Sequence, residues 1–356
     1  MCAQWKKGRE ESDIAHILDK LEEICVRDGS SNQGGLKAGL SDSSVTFEGG
    51  AIYEFATSIL YYAADFNDEV PEEMKSRFSN KALYSAAEKG TLNPETFTDA
   101  LQGEEAEYLR KPIKRYTLLT TLSVRYGDHL TRASWDDCTM TFHNDRPKEI
   151  KQTPTWNRVR HKYFGKVPDK YTQVRVFVSA RSHMEVADKA LNFVDLIRGI
   201  WNMFHVGAKV RLISSHWSPL SKIVRGPLHV LKEEPHTYWY SANYVEPLKV
   251  AKLGKDWERL KEFEYKMRRA VRQSNYDGEL RESFIRYVRA LDLRDKQAAF
   301  LKLWSLLEML TGTQKKKGVE TVNRASFIFN DVDFVQQLGH HLRAYRNAHH
   351  HQGEGH

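Results

Sequence analysis

The C-terminal part of the chain contains one long apolar stretch, Phe300-Leu301-Lys302-Leu303-Trp304-Ser305-Leu306-Leu307-Glu308-Met309-Leu310-Thr311-Gly312. Apolar residues recur here at intervals of three and four positions, the spacing of one face of an α-helix. They are Ala299, Leu303, Leu306 and Leu310. Asp292 or Asp295 is the predicted N-cap, and we expect Gly312 to end the helix because glycine favours that position.

Three more segments carry the same spacing after Pro247, where the strand-like sequence ends. Their apolar sets are Trp257, Leu260, Phe263, Met267 and Ala270, then Leu280, Phe284, Tyr287 and Leu291, then Val335, Leu338, Leu342 and Tyr345. Asn330 and Asp331 precede the last segment and are predicted to cap it. Residues 251–356 are therefore predicted to form an all-helical domain.

The last predicted helix runs into a polar motif, Arg346-Asn347-Ala348-His349-His350-His351. An arginine and a histidine at this spacing often occur together by chance, and helix C-termini favour both residue types. The motif is more specific because Asn347 follows the arginine directly. It is also more specific because a helix with Trp304 and Glu308 precedes it.

This combination resembles the HEPN superfamily, many of whose members are metal-independent ribonucleases. The stretch 300–312 is similar to the helix of ApeA-like HEPN domains, in which a Leu-Trp-x-x-Leu-Glu pattern precedes a glycine. The resemblance covers about residues 255–356 and implies an all-α HEPN-type helical bundle. It also implies an effector role in bacterial anti-phage (abortive infection) defence. Family members usually continue into a further helix, whereas five residues follow His351 here.

The motif residues suit RNA cleavage without a metal, in which the 2′-hydroxyl attacks the phosphate and a 2′,3′-cyclic phosphate forms. Histidine has an unperturbed pKa of about 6.5 and exchanges protons near neutral pH, so we assign proton transfer to His351. Arg346 is always charged and its donor fork matches phosphate oxygens, so it is predicted to stabilise the transition state. Asn347 is predicted to orient the histidine or to donate to the same oxygen.

Two further residues are candidates for supporting these groups. Glu308 is either a partner of Arg346, as the resemblance implies, or an exposed or capping glutamate. His350 is a candidate because the histidine run leaves the choice of catalytic histidine open. Basic residues that either grip an RNA backbone or form a plain solvated surface are Lys315, Lys316, Lys317, Arg268, Arg269 and Arg343.

Helix geometry constrains the site. Five residues along an ideal helix turn through about 500°, or about 140° net, so Arg346 and His351 would not share a face. Either the helix ends near Ala348, or the site combines motifs from two chains. HEPN nucleases resemble the second case, because two motifs commonly meet across a dimer interface. We therefore expect a homodimer.

The rest of the chain mixes helical and strand patterns, which makes the overall fold class α+β. Residues 1–44 are predicted to be an N-terminal helix, over 11–27, and a flexible linker. Residues 45–250 are predicted to be a mixed α/β domain that senses or recognises a phage-derived or nucleic-acid trigger. Strands are predicted at 116–126, 138–142, 173–179 and 238–245, and helices at 184–204 and from Pro94, with Asn93 as its cap.

The composition limits the kinds of partner and the cellular compartment that we expect. The net charge of +7 favours an anionic partner, either nucleic acid or an acidic membrane surface. The HEPN resemblance implies RNA, which could be tRNA, mRNA or rRNA. Three widely spaced cysteines argue against a disulfide framework, and the sequence shows no secretory signal and no membrane-spanning apolar run. We expect a cytoplasmic protein with no membrane association and neither a metal nor another cofactor.

Two alternative functions stay open. The first is a catalytically inactive HEPN module that binds or assembles with a partner. The second is a metal-dependent restriction-type nuclease in which Asp137 and Glu149 hold Mg²⁺ and Lys151 assists the attacking water. P-loop, GxGxxG, HExxH and GxSxG motifs are absent, which argues against NTPases, dinucleotide oxidoreductases, zincins and α/β-hydrolases.

Overall fold

The computed structural model describes residues 4–6, 11–27, 45–127, 132–144, 170–206, 219–233, 237–241, 243–247, 249–314 and 318–351. The chain divides into two compact units. The first unit is Met1–Lys114 with Ser179–Asp188, and the second unit is Arg115–Val178 with Lys189–His356. The linker predicted within residues 28–44 lies outside the described residues, and the domain boundaries predicted at 44 and 250 stay predictions.

The first unit is built mainly from helices. They are α1 (Glu11–Glu23), α2 (Gly50–Ala63), α3 (Glu72–Glu88) and α4 (Pro94–Arg110). Two short antiparallel sheets accompany them, β1 (Gln4–Trp5) with β4 (Ala64–Asp65) and β2 (Cys25–Arg27) with β3 (Val45–Phe47). The buried core includes Leu18, Leu60, Leu83, Phe97 and Leu101.

Two sequence predictions for the first unit have different outcomes. Asn93 caps α4 as predicted, because its side chain accepts from the backbone of Thr96 at 2.9 Å and Pro94 occupies the first turn. The helix predicted over 11–27 is too long. It ends at Glu23, because Cys25–Arg27 pairs with Val45–Phe47, and this partner lies far along the chain.

The second unit contains most of a six-stranded sheet in the order β10-β9-β5-β8-β7-β6. The strands are β5 (Lys114–Leu122), β6 (Arg132–Trp135), β7 (Cys138–His143), β8 (Thr172–Ala180), β9 (Leu228–Leu231) and β10 (Tyr238–Tyr240). The structure confirms strands at the four predicted places. The two strands that were predicted to end at Tyr126 and Val245 are shorter than predicted. Strands β6 and β9 were not predicted from the sequence.

A tight hairpin joins β6 to β7. Trp135 pairs with Cys138, so Asp136 and Asp137 form a two-residue turn. Asp136 has a φ of 50°, in the left-handed region that aspartate tolerates better than most residues. The hairpin projects Arg132 and Trp135 beside the C-terminal helices.

The fold is mixed α/β with a helical C-terminal region, as predicted. Its long helices are α5 (His183–Val206), α6 (Trp257–Arg272), α7 (Asp277–Leu291), α8 (Lys296–Leu310), α9 (Gly318–Ser326) and α10 (Val332–His351). Trp201 of α5 stacks on Phe142 of the sheet at 5.9 Å, and its indole N–H donates to Glu264 of α6 at 2.7 Å. This fully buried tryptophan therefore joins the sheet to the helical region.

Helix ends in the C-terminal region follow the predicted chemistry. Asp295, not Asp292, caps α8 by accepting from the backbone of Gln297 at 2.8 Å. Gly312 follows the end of α8 with a φ of 63°. Asp331 caps α10 by accepting from Phe334 at 3.1 Å. None of the described helices is both long and apolar enough to cross a membrane.

Candidate active site

Aromatic packing sets α10 against α8. Phe300 lies edge-on to Tyr345, with ring centroids 5.1 Å apart, and its centroid is 6.2 Å from that of Trp304. Phe300 and Trp304 are one turn apart on α8, so both face α10. The contact places the end of α10, which carries the arginine of the motif, beside the middle of α8.

Glu308 joins the buried tryptophan to that arginine. The indole N–H of Trp304 donates to Glu308 Oε1 at 2.7 Å, and the same oxygen lies 3.6 Å from Arg346 Nη2. The Glu308 side chain is 14% exposed and that of Arg346 is 31% exposed. The carboxylate is therefore fixed by Trp304 while it faces Arg346, and the Arg346 side chain is partly exposed.

Asn347 contacts the arginine that precedes it. Arg346 Nη1 donates to Asn347 Oδ1 at 3.2 Å. The amide carbonyl and the Glu308 carboxylate thus hold different nitrogens of one guanidinium group. This arrangement restricts the rotamer of Arg346, which a clamp for a developing charge requires.

Arg343 lies one turn before Arg346 and packs beside a glycine. A Cβ atom on Gly318 would lie 3.4 Å from Cγ and Cδ of Arg343 and 3.5 Å from Cζ2 of Trp304. The arginine stem and the tryptophan therefore both pack close to Gly318. Arg343 Nε is buried and has no hydrogen-bond partner among the described residues. The stem is part of the packing, not an extended surface arm.

Helix α10 continues through His351. The alternative in which the helix ends near Ala348 is therefore wrong, because the backbone stays helical across the whole motif. On this one helix, positions 346 and 351 point about 140° apart. The side chains of His350 and His351 lie outside the described residues, as do Lys315, Lys316 and Lys317.

A second charged surface, the basic groove, lies between α6 and the β6–β7 hairpin. It encloses about 810 Å³. Its cationic residues are Arg132, Lys261, Arg268, Arg269 and Arg272, with Asp136 as its one carboxylate among the described lining residues. The predicted RNA-binding residues Arg268 and Arg269 thus lie together in a concave site whose charge is strongly positive.

Aromatic side chains are interleaved with these charges. Tyr265 lies in the groove and is 60% exposed. The guanidinium groups of Arg272 and Arg281 each lie 5.1 Å from the ring centroid of Trp135, a cation–π distance. Trp135 Nε1 is buried without a hydrogen-bond partner in the described part of the chain. Tyr265 is therefore an exposed aromatic face beside cations, a feature that binds single-stranded nucleic acid, whereas Trp135 is buried.

An exposed apolar surface lies on one side of α10, on residues 327–329 after α9 and at the end of α8. The stripe that the sequence assigned to one face of the last helix is exposed at Leu338 and Leu342, and Tyr345 is exposed although its ring packs against Phe300. Other exposed members of this apolar face are Leu310, Phe327, Ile328, Phe329 and Phe334. Contiguous exposed patches of this kind mark interaction sites in ordinary folded proteins.

The residues of the rival metal site are only partly described. Asp137 lies in the hairpin turn, whereas Glu149 and Lys151 fall outside the described residues. Within the described ranges, no group of three His, Cys, Asp or Glu side chains is arranged to hold a metal ion. Burial raises the pKa of the neighbouring Cys138 thiol to about 12, so this cysteine stays protonated and is a poor nucleophile.

Comparisons with protein-family models, with curated proteins and with solved structures each found no match to the chain. The HEPN resemblance therefore rests on the motif and on the α8 pattern alone.

Sequence reasoning missed part of the basic groove. Lys261 and Tyr265 fall at helical spacing with Arg268, so a search for one basic and aromatic helix face would have found them. Arg132 carried no such signal, because the β6–β7 hairpin brings it to α6 across more than a hundred positions of sequence.

Glu308 gives a test of the contact geometry. Replacing Glu308 with alanine leaves the buried indole N–H of Trp304 without its acceptor, and we expect a loss of about 1–3 kcal/mol in the free energy of unfolding. Glu308→Gln keeps an acceptor oxygen and should lose less than half as much. Urea denaturation followed by tryptophan fluorescence measures both. Equal losses for the two variants would show that the hydrogen bond is not formed.

Proposed function

We propose that this protein is a metal-independent HEPN-type endoribonuclease whose catalytic residues are Arg346, Asn347 and His351. The observation that carries the proposal is the arginine of the motif, which contacts Glu308 and Asn347 while its side chain remains partly exposed. The same α8 helix supplies Glu308 and the tryptophan that fixes it. This is the set of residues on which the HEPN resemblance rests, and the proposal includes the HEPN-type bundle.

The proposed reaction needs only groups from the RNA and the protein. The 2′-oxygen attacks the adjacent phosphorus, the bond from phosphorus to the 5′-oxygen breaks, and a 2′,3′-cyclic phosphate forms. The 2′-hydroxyl loses a proton and the leaving 5′-oxygen gains one. His351 transfers protons in this step, because a histidine changes its charge near neutral pH.

Arg346 stabilises the charge that develops on the phosphate oxygens. Its guanidinium is charged at any relevant pH and donates in a fixed planar pattern. Asn347 accepts a hydrogen bond from one guanidinium nitrogen and Glu308 forms an ion pair with another, so these two residues help to orient the group before substrate binds. An arginine fixed before substrate binds needs little reorganisation in the transition state, which is the basis of electrostatic catalysis.

A second copy of the chain completes the proposed site. Because α10 stays helical, Arg346 and His351 of one chain do not face one phosphate together. The apolar face lies on the same helix, and Tyr345 is next to Arg346 in sequence. A symmetric dimer that covers this face brings two copies of α10 together, so that each site combines groups from both motifs.

In this proposal, RNA binds in the basic groove. The basic groove supplies guanidinium and ammonium groups for the backbone and Tyr265 for stacking. The substrate class is tRNA, mRNA or rRNA. The proposed setting is the bacterial cytoplasm, where cleavage would stop translation in phage-infected cells. In this proposal, residues 45–250 recognise the phage-derived or nucleic-acid trigger.

Cleavage by variants tests the catalytic assignment. Total RNA and tRNA are incubated in EDTA with wild type, Arg346→Ala and His351→Ala. We expect wild type to cut and each variant to lose at least about a hundredfold in rate, because each removes a transition-state interaction. Lys266→Gln, on the exposed side of α6, is the control and should cut like wild type.

The alternatives predict other results in that experiment. An inactive HEPN module binds RNA but leaves it intact with all four proteins. A metal-dependent nuclease is silent in EDTA and active in Mg²⁺, and it is insensitive to the Arg346 change. Equal cleavage by wild type and both motif variants would contradict the proposal.

Two leucine variants, one of them a matched control, test the proposed dimer. Leu342 and Leu220 are equally exposed, at 41% and 42%, but only Leu342 belongs to the apolar face. Leu342→Glu places a charge in the interface twice, so we expect the dimer dissociation constant to rise at least about tenfold. Leu220→Glu should leave it unchanged. Sedimentation velocity measures both, and a wild type that is monomeric while it cleaves RNA would exclude a two-chain site.

The groove is tested by RNA binding without cleavage. In the His351→Ala background, the anisotropy of a fluorescent 12-nucleotide oligouridine reports affinity at several salt concentrations. Arg269→Gln removes one phosphate contact, so affinity should fall about threefold or more and the salt slope by about one. Lys266→Gln, on the same helix and paired with Glu262, should change neither. Identical salt slopes for all three proteins would place RNA elsewhere.

A further inference from the structure

A separate cavity lies in the second unit, between α5, α7 and α8. It encloses about 300 Å³, at the lower end of the range for small-molecule pockets. Arg198, Arg225, Arg289 and Lys302 line it, and Asp292 is the one carboxylate among its described lining residues. This cavity shares no residue with the basic groove or with the contacts of Arg346.

One fully buried carboxylate, that of Asp195, forms ion pairs with all three arginines that line the cavity. Asp195 lies 2.8 Å from Arg198 Nε, 3.0 Å from Arg225 Nη1 and 2.8 Å from Arg289 Nε. Arg198 also makes a bidentate pair with Asp292. The guanidinium groups therefore have set positions before any ligand enters.

Positively charged side chains outnumber negatively charged ones around the cavity. Four cationic side chains face two carboxylates, Asp195 and Asp292, which leaves a surplus of two positive charges among the described residues. Burial opposes ionisation of Asp195, but the surrounding guanidinium groups outweigh burial and hold the pKa of that carboxyl well below its usual range. Burial lowers the pKa of Arg225 most, Asp195 and Asp292 oppose this shift, and Arg198 and Arg289 lower the pKa further. An anion entering the cavity would relieve this repulsion.

Lys302 is the residue that most directly points to a ligand. It lines the cavity from α8, is exposed, and makes no ion pair with a carboxylate in the part of the chain that the structure describes. Arg289 reaches the same cavity from α7, and its side chain is 47% exposed. Both cations are thus accessible to an incoming anion, unlike the fully buried Arg198.

The remaining wall suits an organic group. Tyr244, Val224 and Leu293 supply aromatic and apolar surface. Ser241 supplies a hydroxyl, and His229 holds it at 3.2 Å through Nε2. Burial lowers the pKa of His229 well below its usual value, so the ring is neutral and adds no charge. Polar anchors beside apolar surface are typical of sites for small molecules, not of flat surfaces for a polymer.

We propose that this cavity binds a small phosphate-bearing molecule of about mononucleotide size, with its phosphate on Lys302, Arg289 and Arg225. The ligand's organic part lies against Tyr244 and Leu293. The site is distinct from the proposed ribonuclease site. Lys302 and Glu308 nevertheless belong to the same helix, α8, so a ligand here contacts the element that positions Arg346.

Isothermal titration calorimetry of the full chain at low salt tests the proposal, with adenosine 5′-monophosphate and inorganic pyrophosphate as probes. Uncharged adenosine is the matched control ligand. We expect at least one phosphorylated probe to bind with a submillimolar dissociation constant, and adenosine to bind at least about tenfold more weakly. Lys302→Gln removes a charge-assisted hydrogen bond and should weaken the phosphorylated probe about tenfold. Arg269→Gln, which alters only the basic groove, should leave binding unchanged.

Two outcomes would overturn the proposal. One is the absence of binding by both phosphorylated probes up to millimolar concentration. The other is binding that Arg269→Gln weakens and Lys302→Gln does not, which would assign the anion to the basic groove. Neither result depends on RNA cleavage, so neither bears on the ribonuclease proposal.

Discussion

The unbroken helix α10 is the constraint on which the functional account depends. Its backbone is helical from Val332 to His351, so residues 346 and 351 project in different directions. One chain therefore presents Arg346 without the assigned histidine of its motif, His351, on the same face. The apolar face on the same helix gives a physical reason for two copies to meet there, because burying it removes large side chains from water.

Glu308 links the stability of the helical region to the proposed chemistry. Its carboxylate is fixed by the buried indole of Trp304, and that fixes the position of Arg346 in turn. The arginine is thus set by packing between α8 and α10 and not by its own rotamer preference. Helix α8 also lines the cavity between α5, α7 and α8 through Lys302, so this one helix contacts both candidate sites.

Local patterns predicted local structure well. Apolar spacing located four of the C-terminal helices but not α9, and the caps Asn93, Asp295 and Asp331 follow from side chains that accept backbone N–H groups. Features that depend on distant partners were missed. Residues 25–27 continue a helical pattern in sequence but pair with β3, and the four-residue strand β9 has no periodicity of its own. The cavity could not be predicted, because Arg198 and Asp292 are 94 positions apart.

Helical spacing of apolar residues identifies the apolar face of a helix, but it does not show what covers that face. The Leu338 and Leu342 stripe predicted the helix correctly, yet both side chains are exposed in the chain.

The most direct measurement of the central claim is the chemistry of the RNA ends that the wild-type protein produces in EDTA, read by mass spectrometry. Attack by the 2′-hydroxyl predicts 2′,3′-cyclic phosphate and 5′-hydroxyl ends. Ends with a 3′-hydroxyl and a 5′-phosphate would mean that water or another nucleophile attacks, and would contradict the account.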